Sequence, residues 1–343
     1  GSMIMCGFRG TELPPGDPFL DLVAKGHVGH VILFDRDVET KRSRNIVSRK
    51  QVQALVQTLK NAAHRPMLIA VDQEGGRVCR LKKTLGFQDL PSPKTMGRGS
   101  LEKTELLGRR TGEDMRMVGL NTDFAPTVDV MHGSSSVMGR QERSFSADAA
   151  QCAEHAWAFG KGLMAARVIP TLKHFPGLGC ATDDTHFLRA DTRTCFAKDR
   201  DLFPYVYAFR HGWAGMVMVS HVHSPFDATY PASLSSAVIH TLLRQKLGWQ
   251  GVVISDDLQM GAISKFYSLK EAVLLAVQAG TDILLFGNNL NWQPDMAEKA
   301  FQTLTELVQT GQISEERIRA SYTRIQTLLQ TFSDETQPYE RTE

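Results

Sequence analysis

The sequence predicts an α/β fold, a single (β/α)8 barrel of the TIM type with room for irregular early strands, on two observations. Eight short apolar runs alternate with longer amphipathic segments, and nearly every run ends in polar, chemistry-bearing residues. The runs span residues 3–7, 28–34, 67–71, 122–126, 168–173, 215–220, 251–255 and 282–286. Each is compact and rich in Val, Ile, Leu or Met, as expected of parallel strands covered on both faces.

Helical segments are predicted between them. The helix over 48–64 opens with Ser48-x-x-Gln51 and that over 268–279 with Ser268-x-x-Glu271, both capping-box patterns. Others span 101–118, 147–167, 197–211, 235–247, 292–310 and 314–332. Strand-helix alternation without a Pro/Gly/Ser-rich linker suits one catalytic domain over 3–333, with a polar tail at 334–343. A doubly wound open sheet is the structural alternative. The barrel is preferred because Asp72 and Glu74, Asp129, Lys173 and His174, His221 and His223, Asp256 and Asp257, and Asn288 and Asn289 all follow strands. A closed barrel converges those ends on one face, where barrel enzymes react.

Composition narrows the class. Hydrophobic content of 42% and charged content of 22% are those of an ordinary soluble globular protein. A formal net charge of +2 leaves no basic footprint for nucleic acid, and no run reaches the ~20 apolar residues that span a membrane. The five cysteines (Cys6, Cys79, Cys152, Cys180 and Cys195) are scattered, odd in number and without CxxC spacing. That pattern argues against a disulfide framework and for a reducing cytoplasm. Gly1-Ser2 before Met3 reads as a cloning scar, so export after removal of a signal peptide is the alternative location.

The densest chemistry lies at residues 172–186, where Lys173, His174, Asp183, Asp184 and His186 crowd around Pro176-Gly177-Leu178-Gly179. Cys180 lies in the same loop, so a catalytic thiol is one reading of it. The stretch is poor core material and suits a reactive loop.

Six motifs occur in order: Val71-Asp72-Gln73-Glu74-Gly75-Gly76-Arg77-Val78, Phe124-Ala125-Pro126-Thr127-Val128-Asp129-Val130, Glu142-Arg143-Ser144-Phe145, Lys173-His174-Phe175-Pro176-Gly177, Asp184-Thr185-His186 and Ile254-Ser255-Asp256-Asp257-Leu258. Together they resemble the glycoside hydrolase family 3 β-N-acetylglucosaminidases, specifically the single-domain bacterial type that acts in peptidoglycan recycling. The resemblance runs from about Val28 to Asn289.

It implies roles that the chemistry can support. Asp256 matches the nucleophile, a carboxylate that forms a covalent glycosyl-enzyme and gives net retention. His186 matches an unusual general acid/base, with Asp184 orienting its ring. Asp72, Arg80, Arg143, Lys173 and His174 match the sugar-holding residues, and charged groups bind hydroxyls strongly in a rigid cleft. Bland readings stand beside these. Asp256 and Asp257 could cap the next helix, and His186 could be a solvent-exposed loop residue. Arg143 could pair with Glu142 or Asp129, and His221 could line the pocket or merely pack.

The expected protein is a monomer without cofactor or metal that acts on a small saccharide or muropeptide and touches neither nucleic acid nor membrane. Two departures stand out. The family commonly has Gly-His-Gly where this chain has Gly177-Leu178-Gly179, and the second α/β domain that supplies a carboxylate acid in two-domain members of the wider family is not expected here. Other readings are a metal-dependent barrel hydrolase built from His174, His186, His221, His223, Asp184 and Asp256, and a non-catalytic sugar-binding barrel. A phosphorylase, in which phosphate replaces water, would share most of the site.

Overall fold

A computed structural model describes residues 1–183, 185 and 189–333. Eight strands, all parallel, run in the order β10-β1-β2-β3-β6-β7-β8-β9. They are β1 (Ile4–Gly7), β2 (His30–Ile32), β3 (Ile69–Val71), β6 (Thr122–Asp123), β7 (Ile169–Phe175), β8 (Met216–Val219), β9 (Val253–Ser255) and β10 (Leu284–Phe286). A parallel bridge between Ile254 and Ile283 joins the two ends of the sheet and closes the barrel. A short antiparallel hairpin, β4 (Gln73–Gly75) with β5 (Val78–Cys79), follows β3. The predicted strands are therefore present in order, each trimmed at its ends except β7, which extends to Phe175.

Two apolar layers hold the barrel. Met5, Ile32, Ala70, Phe124, Ile169, Met218, Ile254 and Leu285 fill the interior, while the larger layer lies between strands and surrounding helices. The interior layer is plugged by the last helix, Glu315–Thr331, and the residue that caps it. Ile325, Leu328, Leu329 and Phe332 of this segment recur at i, i+3, i+4 and i+7 and join the interior cluster. Truncating Phe124 to Ala would open a void in this layer, at a cost of about 3–5 kcal/mol.

Local sequence explains most element boundaries. Ser48 caps Arg49–Ala63, although Gln51 reaches back to the Val47 amide rather than to Ser48. Ser268 and Glu271 form the complete reciprocal capping box. The predicted helix over 197–211 is instead two helices, Lys198–Asp201 and Phe203–Arg210, with Pro204 in the first turn of the second. Residues 237–246 form a π-helix where a regular helix is predicted. Pro18–Ala24 is a helix the periodicity does not reveal, though Asp17 caps it and Pro18 starts it.

One expectation is overturned. Cys180 and Cys195, fifteen residues apart, form a disulfide, leaving Cys6, Cys79 and Cys152 as buried free thiols. Cys180 is therefore no thiol nucleophile. An odd, scattered cysteine set hides such a pair because the chain returns to Cys180 through a loop whose path no spacing rule encodes. Among the described residues, no helix is long and apolar enough to cross a membrane.

Candidate active site

The C-terminal ends of the strands surround a pocket of about 490 Å³, within the range of small-molecule sites. Asp72, Arg80, Arg143, Lys173, His174 and Asp256 all line it. Asp184 and His186 lie outside the described residues.

Three of these side chains, Arg143, Lys173 and His174, are organised by two acids, Glu74 and Asp129. Lys173, buried at the end of β7, extends Nζ to Asp72 Oδ1 at 2.8 Å and to Glu74 Oε1 at 2.6 Å. Arg143 donates two N–H bonds to Glu74, each 2.8 Å, in the fork geometry that fixes a guanidinium plane. The partner of Arg143 is thus Glu74, neither Glu142 nor Asp129. Arg80 follows the β4–β5 hairpin and approaches Asp72 at 3.6 Å and Asp35 at 3.8 Å.

Asp129 supports the other side. Its Oδ2 lies 2.7 Å from His174 Nδ1, and its Oδ1 accepts the Leu178 amide at 2.6 Å. Arg143 also donates toward His174 Nε2 at 3.3 Å, so the geometry selects the tautomer with hydrogen on Nδ1. His174 is thereby held at the pocket wall by a carboxylate behind it and a guanidinium beside it.

The electrostatics follow from these pairings. Burial alone would raise the Glu74 carboxyl, but Arg143 and Lys173 outweigh it and hold it well below the ordinary value. Asp72 is lowered likewise, against burial, by Lys173 and then Arg80. Burial opposes the charge on Lys173, yet Asp72 and Glu74 raise it above the usual lysine value. The floor is a set of permanent, mutually compensated charges. Below it, Asp123 is pushed well up by burial, with Oδ1 accepting the Gln73 amide and Oδ2 buried without a hydrogen-bond partner.

The loop after β7 turns as its sequence predicts. Gly177 has φ of +144°, and a Cβ on Gly179 would lie 1.8 Å from the Val130 carbonyl oxygen. Leu178, expected to distinguish the loop from its relatives, is buried in the main core and anchors the turn from below.

Adjacent aspartates after β9 do different things. Asp256 lines the pocket, and its Oδ1 accepts the Asp257 amide at 2.8 Å. Asp257 also borders the pocket, but its Oδ1 accepts the amides of Gln259 and Gly287, both at 3.0 Å. Asp257 thus ties the β9 loop to the β10 loop, which settles its open reading toward structure. His221 is likewise structural. It is fully buried between Ser233 Oγ at 2.7 Å and the Asp257 carbonyl at 2.8 Å, and it does not line the pocket. Among the described residues, no three His, Cys, Asp or Glu side chains gather closely enough to hold a metal ion.

A barrel mouth with a carboxylate above a compensated floor has close relatives among known proteins. Residues 16–328 match the model of the glycosyl hydrolase family 3 N-terminal domain. The chain belongs to glycosyl hydrolase family 3. It is 35% identical over 292 residues to a β-hexosaminidase of Xylella fastidiosa, covering 82% of each chain. Its fold superposes with a TM-score of 0.88 on a family 3 β-N-acetylglucosaminidase of a Paenibacillus species, at 34% identity. That match covers 97% of this chain and 61% of the Paenibacillus protein. A β-N-acetylhexosaminidase of Beutenbergia cavernae matches with a TM-score of 0.86 at 27% identity, covering 96% of both chains. The family 3 chain described here is a glycoside hydrolase.

Glu74 and Asp129 are the functional residues that sequence reasoning underweights. Both stand in the quoted motifs, yet nothing in a carboxylate beside glycines or after a Pro-Thr-Val run says which cation it will meet.

Proposed function

We propose that this chain is a retaining exo-β-N-acetylglucosaminidase that removes non-reducing terminal GlcNAc from peptidoglycan fragments. The observation that carries the reading is the convergence of Asp256 with the Lys173–Asp72–Arg143 floor in one pocket. A floor of buried, oriented donors and acceptors suits the hydroxyls of a terminal sugar, and a pocket closed beneath suits exo attack. The GlcNAc preference draws on the relatives' activities, and the muropeptide aglycone on the resemblance to recycling enzymes.

In the proposed mechanism the Asp256 carboxylate attacks the anomeric carbon as the bond to the leaving oxygen breaks. His186, protonated and oriented by Asp184, gives its proton to that oxygen. It then removes a proton from the incoming water, which displaces Asp256 from the sugar with net retention. Asp72 and Lys173 hold hydroxyls throughout.

The Cys180–Cys195 pair suits an oxidising compartment, and so favours the exported alternative over the cytoplasm. The deciding experiment compares hydrolysis of a chromogenic β-GlcNAc with the matching β-glucoside, before and after EDTA, with and without phosphate. Preference for the GlcNAc substrate, an unchanged rate after EDTA and free GlcNAc as product are expected. Preference for the glucoside overturns the substrate assignment. Loss of activity in EDTA favours the metal-dependent reading, and GlcNAc 1-phosphate among the products identifies a phosphorylase.

A further inference from the structure

The pocket floor is charge-balanced, but its mouth is not. On the loop after β2, Asp35 is held by Lys82 at 2.5 Å and faces Arg80. Asp37 takes Arg44 at 2.6 Å and Arg9 at 2.8 Å, and Glu39 takes Arg9 at 2.8 Å. All three acids of this loop are therefore engaged. Arg36 and Lys41 line the mouth from the same loop, are exposed, and have no ion-pair partner among the described residues.

The loop that presents them is a built hairpin. Arg36 pairs with Ser43, the Asp37 amide donates to the Arg42 carbonyl at 2.9 Å, and the Lys41 amide donates to the Asp37 carbonyl at 2.9 Å. Asn289, beyond β10, clamps it from the neighbouring wall. Its Nδ2 donates to the Arg36 carbonyl at 3.1 Å and its Oδ1 accepts the Val38 amide at 3.0 Å. Val38 and Leu290 add apolar surface beside the two cations. The cations thus sit on an anchored rim above the reacting carboxylate.

We propose that Arg36 and Lys41 form an aglycone subsite that selects substrates whose leaving group carries a carboxylate. This rests on the exo-glycosidase reading. With the terminal sugar seated on Lys173 and Asp72, the leaving group points to the mouth, where uncompensated positive charge awaits an anion. Exposed pairs are individually weak and screened by salt, so discrimination is modest, about tenfold at low ionic strength for the two together.

The test is the ratio of kcat/KM for GlcNAc-β-1,4-MurNAc over N,N′-diacetylchitobiose, which differ in the aglycone by a lactyl carboxylate. The wild-type ratio is expected near tenfold and to shrink with added salt. It is expected to fall toward one in R36Q/K41Q and to survive in the charge-conserving R36K/K41R. Two further disaccharides distinguish the anion's source: one with the lactyl carboxyl as a methylamide, one extended by L-alanine. Preference lost in both assigns the lactyl carboxylate, and preference restored by the alanine assigns a peptide carboxylate. A wild-type ratio near one with brisk turnover, or a ratio unchanged in R36Q/K41Q, overturns the subsite alone. No turnover of either disaccharide or of the chromogenic β-GlcNAc overturns the underlying glycosidase reading, and the subsite with it.

Discussion

Glu74 meets Arg143 through two N–H···O bonds of 2.8 Å while the same carboxylate takes Lys173 at 2.6 Å. One buried acid therefore fixes two of the cations that face the sugar. Removing one member of such a group leaves buried charge uncompensated, which typically costs about 3–5 kcal/mol. Glu74→Gln keeps the shape and loses the charge. It is expected to lower the thermal midpoint and to raise KM for a β-GlcNAc substrate, because Lys173 and Arg143 lose their common anchor. A wild-type midpoint and KM in this variant would refute the positioning role.

The same network sets an acid limit. Glu74 ionises below its unfolded value of 4.5 because Arg143 and Lys173 outweigh the effect of burial. As pH falls below about 4.5 the unfolded chain therefore takes up the proton first, and stability present at neutral pH drains away. Asp72 adds to the trend from its unfolded value of 3.8. The urea midpoint should fall steeply between pH 5 and 3, and less steeply in Glu74→Gln. Parallel slopes would assign acid sensitivity elsewhere.

Asp123 behaves in the opposite sense. Burial raises its folded pKa, so unfolding releases a proton over the interval between 3.8 and the folded value, and stability is lost as pH rises through it. Asp123→Asn keeps an oxygen for the Gln73 amide and removes the titration. It is expected to be relatively more stable at pH 7 than at pH 4 when each is compared with the wild type. A stability difference independent of pH would show that Asp123 does not titrate between the two states.

What the sequence displays and what it hides differ by physical cause. The barrel was legible because buried parallel strands must be apolar throughout, and their polar ends mark one face. Lys173 and Asp256 stand out for that reason. Glu74 does not, since its significance lies in Arg143, sixty-nine residues away. The Pro18–Ala24 helix was marked by Asp17 and Pro18, but it is too short for periodicity to register. The Cys180–Cys195 pair is a fact of loop path, which composition cannot reveal.

Neighbouring Asp256 and Asp257 offer a sharp contrast. Asp256→Asn is expected to fold normally, bind GlcNAc and lose turnover by several orders of magnitude, as removal of a nucleophile demands. Asp257→Ala should instead lower the thermal midpoint, because the Gln259 and Gly287 amides lose their acceptor, at roughly 1–3 kcal/mol for each group left unsatisfied. Asp257→Asn retains an oxygen acceptor and should recover much of that loss. Turnover by Asp256→Asn at the wild-type rate would move the nucleophile to another residue.

The disulfide makes the last expectation. Unfolded without reductant, the protein should label with a thiol reagent at three positions, Cys6, Cys79 and Cys152, and at all five after reduction. Closing a loop of this length contributes about 3 kcal/mol in the chain-entropy account, so reduction should lower the thermal midpoint measurably. Positions 184 and 186, the proposed proton-transfer pair, fall inside the closed loop in the sequence. Activity is therefore expected to fall on reduction at temperatures where the barrel remains folded, and a Cys180→Ser/Cys195→Ser variant should ignore the reductant. Five reactive thiols in the unreduced protein, or activity indifferent to reduction, would sever the link between this bond and the catalytic loop.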